Sequence, residues 1–270
     1  MKRLFPFVLA ASLAMAGCFQ SSTLINVHAD GSGTIEQTTT MTAAALAQLK
    51  QLAASFGGKN AGAVDPFSED QQRAAASKMG EGVAFVSSTP IKSDAGEGRR
   101  TIYAFRDINT LSLSQQPDVP GGMDAGGAAG RTEKLDFHLT HQPNGDALLR
   151  IHFPAPKMPP GTTAPDAPGG AAMAPDAGQL AMMKQMLGGL KISIAVRPIG
   201  TLVHTNGAFV ENDTVTLLEM DFDRLLANPD AMAKLRQLKT LDGANGALEG
   251  IDGLKVNPTR DLDIEFKPAR

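Results

Sequence analysis

The fold is predicted most clearly by residues 135–153, whose sequence is LDFHLTHQPNGDALLRIHF. The Pro-Asn-Gly at 143–145 is typical of a type I turn followed by a glycine in the left-handed region. This turn pairs Gln142 with Asp146 and sets the register of two antiparallel strands. One face of the hairpin is apolar and the other is polar, as in an antiparallel sheet with one buried and one solvated face.

The polar face of this hairpin carries groups that are candidate metal ligands. The register places Asp136 opposite His152, and His138 opposite Arg150. Two imidazoles and one carboxylate are ligands of divalent cations. The adjacent Arg150 disfavours a cation, so the simpler interpretation is a solvated strand face.

Alternating segments on both sides of the hairpin predict further strands. An Asp-Gly turn at 30–31 joins two such segments, which is a strong hairpin signal. The predicted strands cover residues 24–29, 34–41, 82–92, 99–107, 190–196, 214–219 and 262–266.

Four segments have the spacing or the caps of helices. Thr42 can cap a helix to Phe56, and Ser68 with Gln71 forms a capping box for a helix that ends at Gly80. The other two helices are predicted at 177–187 and after Asn228.

These elements predict an α+β fold, with a mostly antiparallel sheet and packed helices. Two Gly/Pro/Ala-rich segments, 117–130 and 154–178, are interpreted as flexible excursions because they hold too little apolar surface to fold. We expect residues 24–270 to form one α+β domain around one shared sheet, with two separate domains as the alternative.

The N-terminus has the parts of a secretory signal peptide over residues 1–17. Lys2 and Arg3 precede an apolar run that is too short to span a bilayer as a helix. The sequence Met15-Ala16-Gly17-Cys18 resembles the lipobox of bacterial lipoproteins. The alternative is an ordinary secretory signal with an incidental cysteine, although the only cysteine of the chain lies at the lipobox position.

The lipobox resemblance implies that Cys18 carries diacylglycerol and further acyl chains such as palmitate, and that it anchors the protein in a membrane. Residues 18–23 are then the acylated cysteine and a polar tether. Phe19 after the cysteine resembles lipoproteins of the Gram-negative outer membrane that face the periplasm. In a Gram-positive cell the same signal would place the protein on the outer face of the plasma membrane.

Several segments resemble a group of uncharacterised bacterial lipoproteins: 24–35 with its Asp-Gly-Ser-Gly hairpin, 68–92, 189–196 and 214–222. The opening hairpin is also similar to the LppM-like lipoprotein domain. That resemblance implies an α+β fold for which binding of envelope glycolipids has been proposed.

The composition excludes several classes of function. The net charge is −3 and aromatic residues make up 5%, so no nucleic-acid partner is expected. The chain has no Gly-x-Ser-x-Gly motif and no phosphate-binding loop. We therefore expect a protein that is not an enzyme and needs no cofactor.

Two further features bear on a ligand. Met182, Met183 and Met186 offer soft thioether ligands for Cu(I), or simply fill an apolar core. The alanine-rich helix from Ala43 to Phe56 could leave an apolar cleft against the sheet. We expect a lipid-anchored envelope protein that binds a lipid or glycolipid, with protein interaction or assembly as the first alternative and copper handling as the second.

Overall fold

The computed structural model describes residues 19–47, 65, 67–93, 96–114, 134–154, 184, 187–228, 250–257 and 259–269. Of these residues, 58% lie in strands and 17% in helices, and the strands form two sheets. The predicted α+β class is therefore wrong, and the fold is mostly β. The reason is that the two sheets cover much of each other's apolar surface, which the prediction assigned to helices.

The strands are numbered in chain order. Their bounds are β1 Phe19–Val27, β2 Gly33–Met41, β3 Ala84–Ser93, β4 Gly96–Phe105, β5 Ser112–Ser114, β6 Lys134–His141, β7 Ala147–His152, β8 Lys191–Pro198, β9 Gly200–Thr205, β10 Val210–Glu211, β11 Thr214–Asp221, β12 Leu254–Val256 and β13 Asp261–Pro268.

The helices in the described ranges are short. Helix α1 spans Glu69–Met79, α2 spans Phe222–Ala227, and a 3₁₀ turn covers Ile108–Thr110. The Ser68 hydroxyl accepts a hydrogen bond from the Gln71 amide, which confirms the predicted start of α1.

The other predicted helices are only partly visible. Residues 43–47 are helical, and the Thr42 hydroxyl caps them by accepting the Ala45 amide at 3.2 Å. The rest of the segment to Phe56, and the helix predicted after Asn228, lie outside the described residues. Of the segment 177–187, only residues 184 and 187 are described.

The larger sheet contains eight strands within the described residues. Their order is β10-β11-β8-β1-β2-β4-β3, and β12 pairs with β11. Neighbouring strands are antiparallel except β1 and β8, which run parallel and align Ile25 with Val196. The first and last thirds of the chain therefore meet at the centre of this sheet.

The smaller sheet has the order β5-β6-β7-β13-β9. Its β6–β7 hairpin confirms the predicted register, with Asp136 opposite His152. The turn is also confirmed: the Gln142 amide donates to the Asp146 carbonyl at 2.8 Å, and Gly145 has a φ of 87°.

One apolar core joins the two sheets. From the larger sheet it includes Ile25 and Tyr103, and from the smaller sheet Ile151 and Phe266, all with no exposed surface. The structure thus has two sheets around a common core, and the single shared sheet that we expected is corrected. The expectation failed because β9, which follows β8 directly in the chain, pairs with β13 of the smaller sheet.

The start of β1 also differs from expectation. Residues 20–23, interpreted as a polar tether, pair with β2 on one side and with β8 on the other. Residues 1–18 lie outside the described part of the chain, as do 117–130 and nearly all of 154–178. Among the described helices, none has both the length and the apolar character needed to cross a membrane.

Candidate functional site

The inward face of the larger sheet is arranged in rows that cross β8, β1, β2 and β4. At one end, which we call the closed end, two rows are apolar and pack in the common core. The rows are Pro198, Val27, Gly33 and Phe105, followed by Val196, Ile25, Ile35 and Tyr103.

The next two rows on the same strands are largely polar, and we call them the open end. They are Ile194, Thr23, Gln37 and Thr101, followed by Ile192, Ser21, Thr39 and Arg99. Only β8 contributes apolar side chains to both rows. The inward face therefore changes from apolar to polar at the middle of the sheet.

A cleft of about 360 Å³ lies over the open end. Its floor is formed by β1, β2 and β8, one wall by the C-terminal turn of α1, and the other wall by β5 with the first residue of β6. The volume is within the range of small-molecule sites, which is roughly 300–1,000 Å³. Ile35, Ile192, Ile194, Met79 and Leu113 give the cleft its apolar part.

Helix α1 and β3 hold the polar groups at the β4 side of the open end. Arg99 donates to the Phe67 carbonyl at 2.8 Å and to the Ser88 hydroxyl at 2.7 Å. The Thr101 hydroxyl lies 3.0 Å from the Ser88 hydroxyl and donates to the Gln72 side chain. These groups have their partners inside the protein.

The polar groups of β1 and β2 differ from those of β4. The side chains of Ser21, Thr23 and Gln37 line the cleft, and none of the three bonds to another residue that the structure describes. Ser21 is only 7% exposed. Its hydroxyl is nevertheless available to a molecule bound in the cleft, because Ser21 lines it.

The charges around the cleft are of one sign. Lys78, in the last turn of α1, and Lys134, at the start of β6, both line the cleft with exposed side chains. Among the described residues the lining contains no Asp or Glu, and neither lysine forms an ion pair there. The cleft therefore combines apolar walls, uncommitted hydroxyl and amide groups, and two cations.

The predicted metal candidates lie elsewhere, on the outer face of the smaller sheet. β13 lies beside β7 and supplies a carboxylate to each of two β7 side chains. Asp261 Oδ1 is 2.8 Å from His152 Nδ1, and Asp263 accepts two hydrogen bonds from Arg150. The hydrogen bonds to Asp263 raise the pKa of the Arg150 guanidinium.

The pairs with Asp261 and Asp263 explain why His152 and Arg150 occupy this face of the hairpin. Asp136 and His138 share the face with these ion pairs, and no group of three or more potential ligands comes together to hold a metal ion within the described ranges. Met182, Met183 and Met186 lie outside the described residues, as do the lipobox residues Met15, Ala16 and Gly17 and the acylation candidate Cys18.

Sequence analysis missed Ser21, Thr23, Gln37, Lys78 and Lys134. A signal for β1 was present, because every second residue from Phe19 to Val27 points to the same face. The interpretation of 20–23 as a tether hid that alternation. No local pattern indicates the two lysines, because they reach the cleft from elements about 55 residues apart.

No family model matches the chain, and no curated protein matches its sequence. Among solved structures, the chain is similar to the NMR structure of the folded domain of LppM from Mycobacterium tuberculosis. The match covers 94% of this chain and 92% of that one, with 9% identity and a TM-score of 0.32. A similarity at this identity and TM-score assigns no function to the chain.

Proposed function

We propose that this protein is a lipid-anchored protein of the bacterial cell envelope that binds a lipid in the cleft at the open end and catalyses no reaction. Acyl chains on Cys18 attach it to the membrane. The two-sheet domain then holds the cleft close to that membrane, because β1 begins at the residue after the anchor.

The observation that carries the lipid assignment is the mixed character of the cleft. Ile192, Ile194 and Met79 offer apolar surface to a hydrocarbon chain, whereas Ser21 and Thr23 offer hydroxyls beside it. An amphiphile matches both kinds of surface at once. The Ser21 side chain lines the cleft and has no partner among the described residues, so its hydroxyl adds a polar contact for a ligand.

The anchor is tested with Cys18→Ser in the full-length chain, expressed in bacteria that are fed a radiolabelled fatty acid. We expect the label to be lost, because the thiol that accepts diacylglycerol is absent. A matched control carries Cys18→Ser together with Ser22→Cys, which restores one thiol four residues further along the exposed side of β1. Label on the Cys18→Ser chain, or label recovered by the relocated cysteine, would contradict the lipobox assignment.

Binding in the cleft is tested by photo-crosslinking. The full-length lipoprotein is purified, reconstituted into phosphatidylcholine vesicles and mixed with phosphatidylglycerol that carries a diazirine in one acyl chain. After irradiation, we expect peptide mapping to find lipid adducts at residues 192–194 and 35–37, because these line the cleft.

Two tryptophan variants of β2 separate the cleft from the rest of the surface. Gln37→Trp fills the cleft and should lower adduct formation about tenfold, equivalent to a loss of about 1.4 kcal/mol of binding free energy. Thr38→Trp places the same side chain on the opposite face of the strand and should leave the yield unchanged. Adducts confined to the outer surface, or equal yields from both variants, would overturn the proposal.

A further inference from the structure

The lysines of the cleft differ from the paired lysines of the larger sheet. Lys191 lies 3.8 Å from Glu219 and 3.6 Å from Asp221, and Lys255 lies 3.0 Å from Glu219. Their charges are neutralised by carboxylates within the protein. Lys78 and Lys134 have no such carboxylate among the described residues.

The two cleft lysines also come from opposite walls. Lys78 belongs to α1, and Lys134 is the first residue of β6, opposite Ser114 of β5. Both side chains are exposed where they line the cleft, so their ammonium groups lie near its opening to solvent. The protein carries a net charge of −3, so the cationic opening is not a consequence of a generally basic surface.

We infer that the ligand of this cleft is anionic, and that Lys78 and Lys134 bind its phosphate group while the hydrocarbon chain lies against β2 and β8. This inference rests on the proposed function and specifies its ligand class: a phospholipid whose head group carries net negative charge. Lysine suits this role because its ammonium group acts as a point charge toward phosphate oxygens.

Zwitterionic lipids have the same phosphate but add a cation next to it. In phosphatidylcholine, the choline group would have to lie close to both lysines, and like charges repel. The arrangement therefore favours phosphatidylglycerol over phosphatidylcholine, although both have the same hydrocarbon chains. The preference is electrostatic and should decrease at high salt.

The test compares two diazirine lipids, phosphatidylglycerol and phosphatidylcholine, at equal amounts in vesicles that contain the full-length lipoprotein. We expect the cleft peptides to take up more phosphatidylglycerol, by a factor of up to about five for each lysine, which is the upper end for exposed ion pairs. The double variant Lys78→Gln with Lys134→Gln should react equally with both lipids, and its yield with phosphatidylcholine should not fall.

Lys267→Gln is the matched control. Lys267 is an exposed lysine of β13 that does not line the cleft, so this variant removes one positive charge without altering the opening. Its preference for phosphatidylglycerol should equal that of the unmodified protein. If Lys267→Gln reduces the preference as much as Lys78→Gln alone or Lys134→Gln alone, the effect is one of net charge and the inference is wrong.

The outcomes distinguish this inference from the proposed function. Equal adducts with both lipids in the unmodified protein would overturn the anionic preference and leave lipid binding intact, whereas no cleft adduct from either lipid would overturn both. Addition of inorganic phosphate separates the two possible sources of the anion. If millimolar phosphate abolishes the preference, the lysines bind free phosphate and the phospholipid assignment is wrong; an unchanged preference supports it.

Discussion

The closed and open ends of the larger sheet share the same strands but differ in what lies over them. At the closed end, Ile25 and Ile35 pack against the smaller sheet and have no exposed surface. At the open end, Thr23 and Gln37 occupy the next row of β1 and β2 and face a cleft. The strand pairing continues through both ends, so the backbone ladder does not depend on an apolar inward face.

The comparison shows that the cleft results from a change of side chains along continuous strands. β1 alone illustrates the change: its inward residues are Phe19, Ser21, Thr23, Ile25 and Val27. Ser21 and Thr23 are polar, whereas Phe19 before them and Ile25 and Val27 after them are apolar. A cleft built on regular strands is held more rigidly than one built on loops, because every floor residue belongs to a hydrogen-bonded ladder.

The largest difference between the two ends should appear on truncation of a core side chain. Ile25→Ala at the closed end should lower the free energy of unfolding by about 3 kcal/mol, because it removes a fully buried side chain and leaves a cavity. Urea denaturation followed by circular dichroism measures this change. The control is Leu24→Ala on the opposite, partly exposed face of β1; equal losses in both variants would show that the closed end is not the main source of stability.

A smaller and sharper test uses two threonines of one row. Thr101→Val removes the hydrogen bonds of the Thr101 hydroxyl to Ser88 and to the Gln72 side chain, and should cost about 1–3 kcal/mol of unfolding free energy. Thr23→Val removes a hydroxyl with no partner among the described residues and should change stability by no more than about 0.5 kcal/mol. If Thr23→Val is as destabilising as Thr101→Val, the Thr23 hydroxyl has a structural role and the cleft loses one of its binding groups.

The smallest effect concerns the β1–β2 turn, which follows the closed end. The Ser32 hydroxyl and amide donate to Asp30 at 2.7 and 3.0 Å, and these bonds lower the pKa of the Asp30 carboxyl below its ordinary value of 3.8. The stabilisation is therefore present above pH 3.8 and is lost as the pH falls through the lowered value.

Asp30→Asn tests this pH dependence, because it keeps an acceptor oxygen but removes the titration. We expect the variant to be slightly less stable than the unmodified protein at pH 6, and the difference to decrease as the pH falls below 3.8, as measured by thermal unfolding at each pH. A difference that stays constant from pH 6 to pH 2 would show that Asp30 does not contribute through its charge.

The sequence predicted local structure well. The β6–β7 register, its turn at Gly145 and helix α1 all depend on residues close in the chain, and the structure confirms each of them. Local patterns succeed there because a turn or a cap involves only a few neighbouring residues.

The arrangement of the strands was not predictable in the same way. β13 lies between β7 and β9, and the pairs that it forms, such as Asp263 with Arg150, join residues 113 positions apart. The predicted α+β class was wrong for the same reason. An apolar strand face can pack against a helix or against a second sheet, and the local sequence pattern of the strand is the same in both cases. The cleft depends on such distant pairings, so its lysines could not be located from spacing.

The position of β13 between β7 and β9 has a consequence for how the chain reaches its native state. Leu262 and Phe266 are buried in the common core, yet they belong to the last strand that the structure describes. During synthesis, β7 and β9 have no partner between them until residues 261–268 have emerged, and non-local pairings of this kind form slowly. The smaller sheet therefore closes only after residues 261–268 are available. Until then its unpaired strand edges are open to chaperones, to proteases and to pairing with other chains.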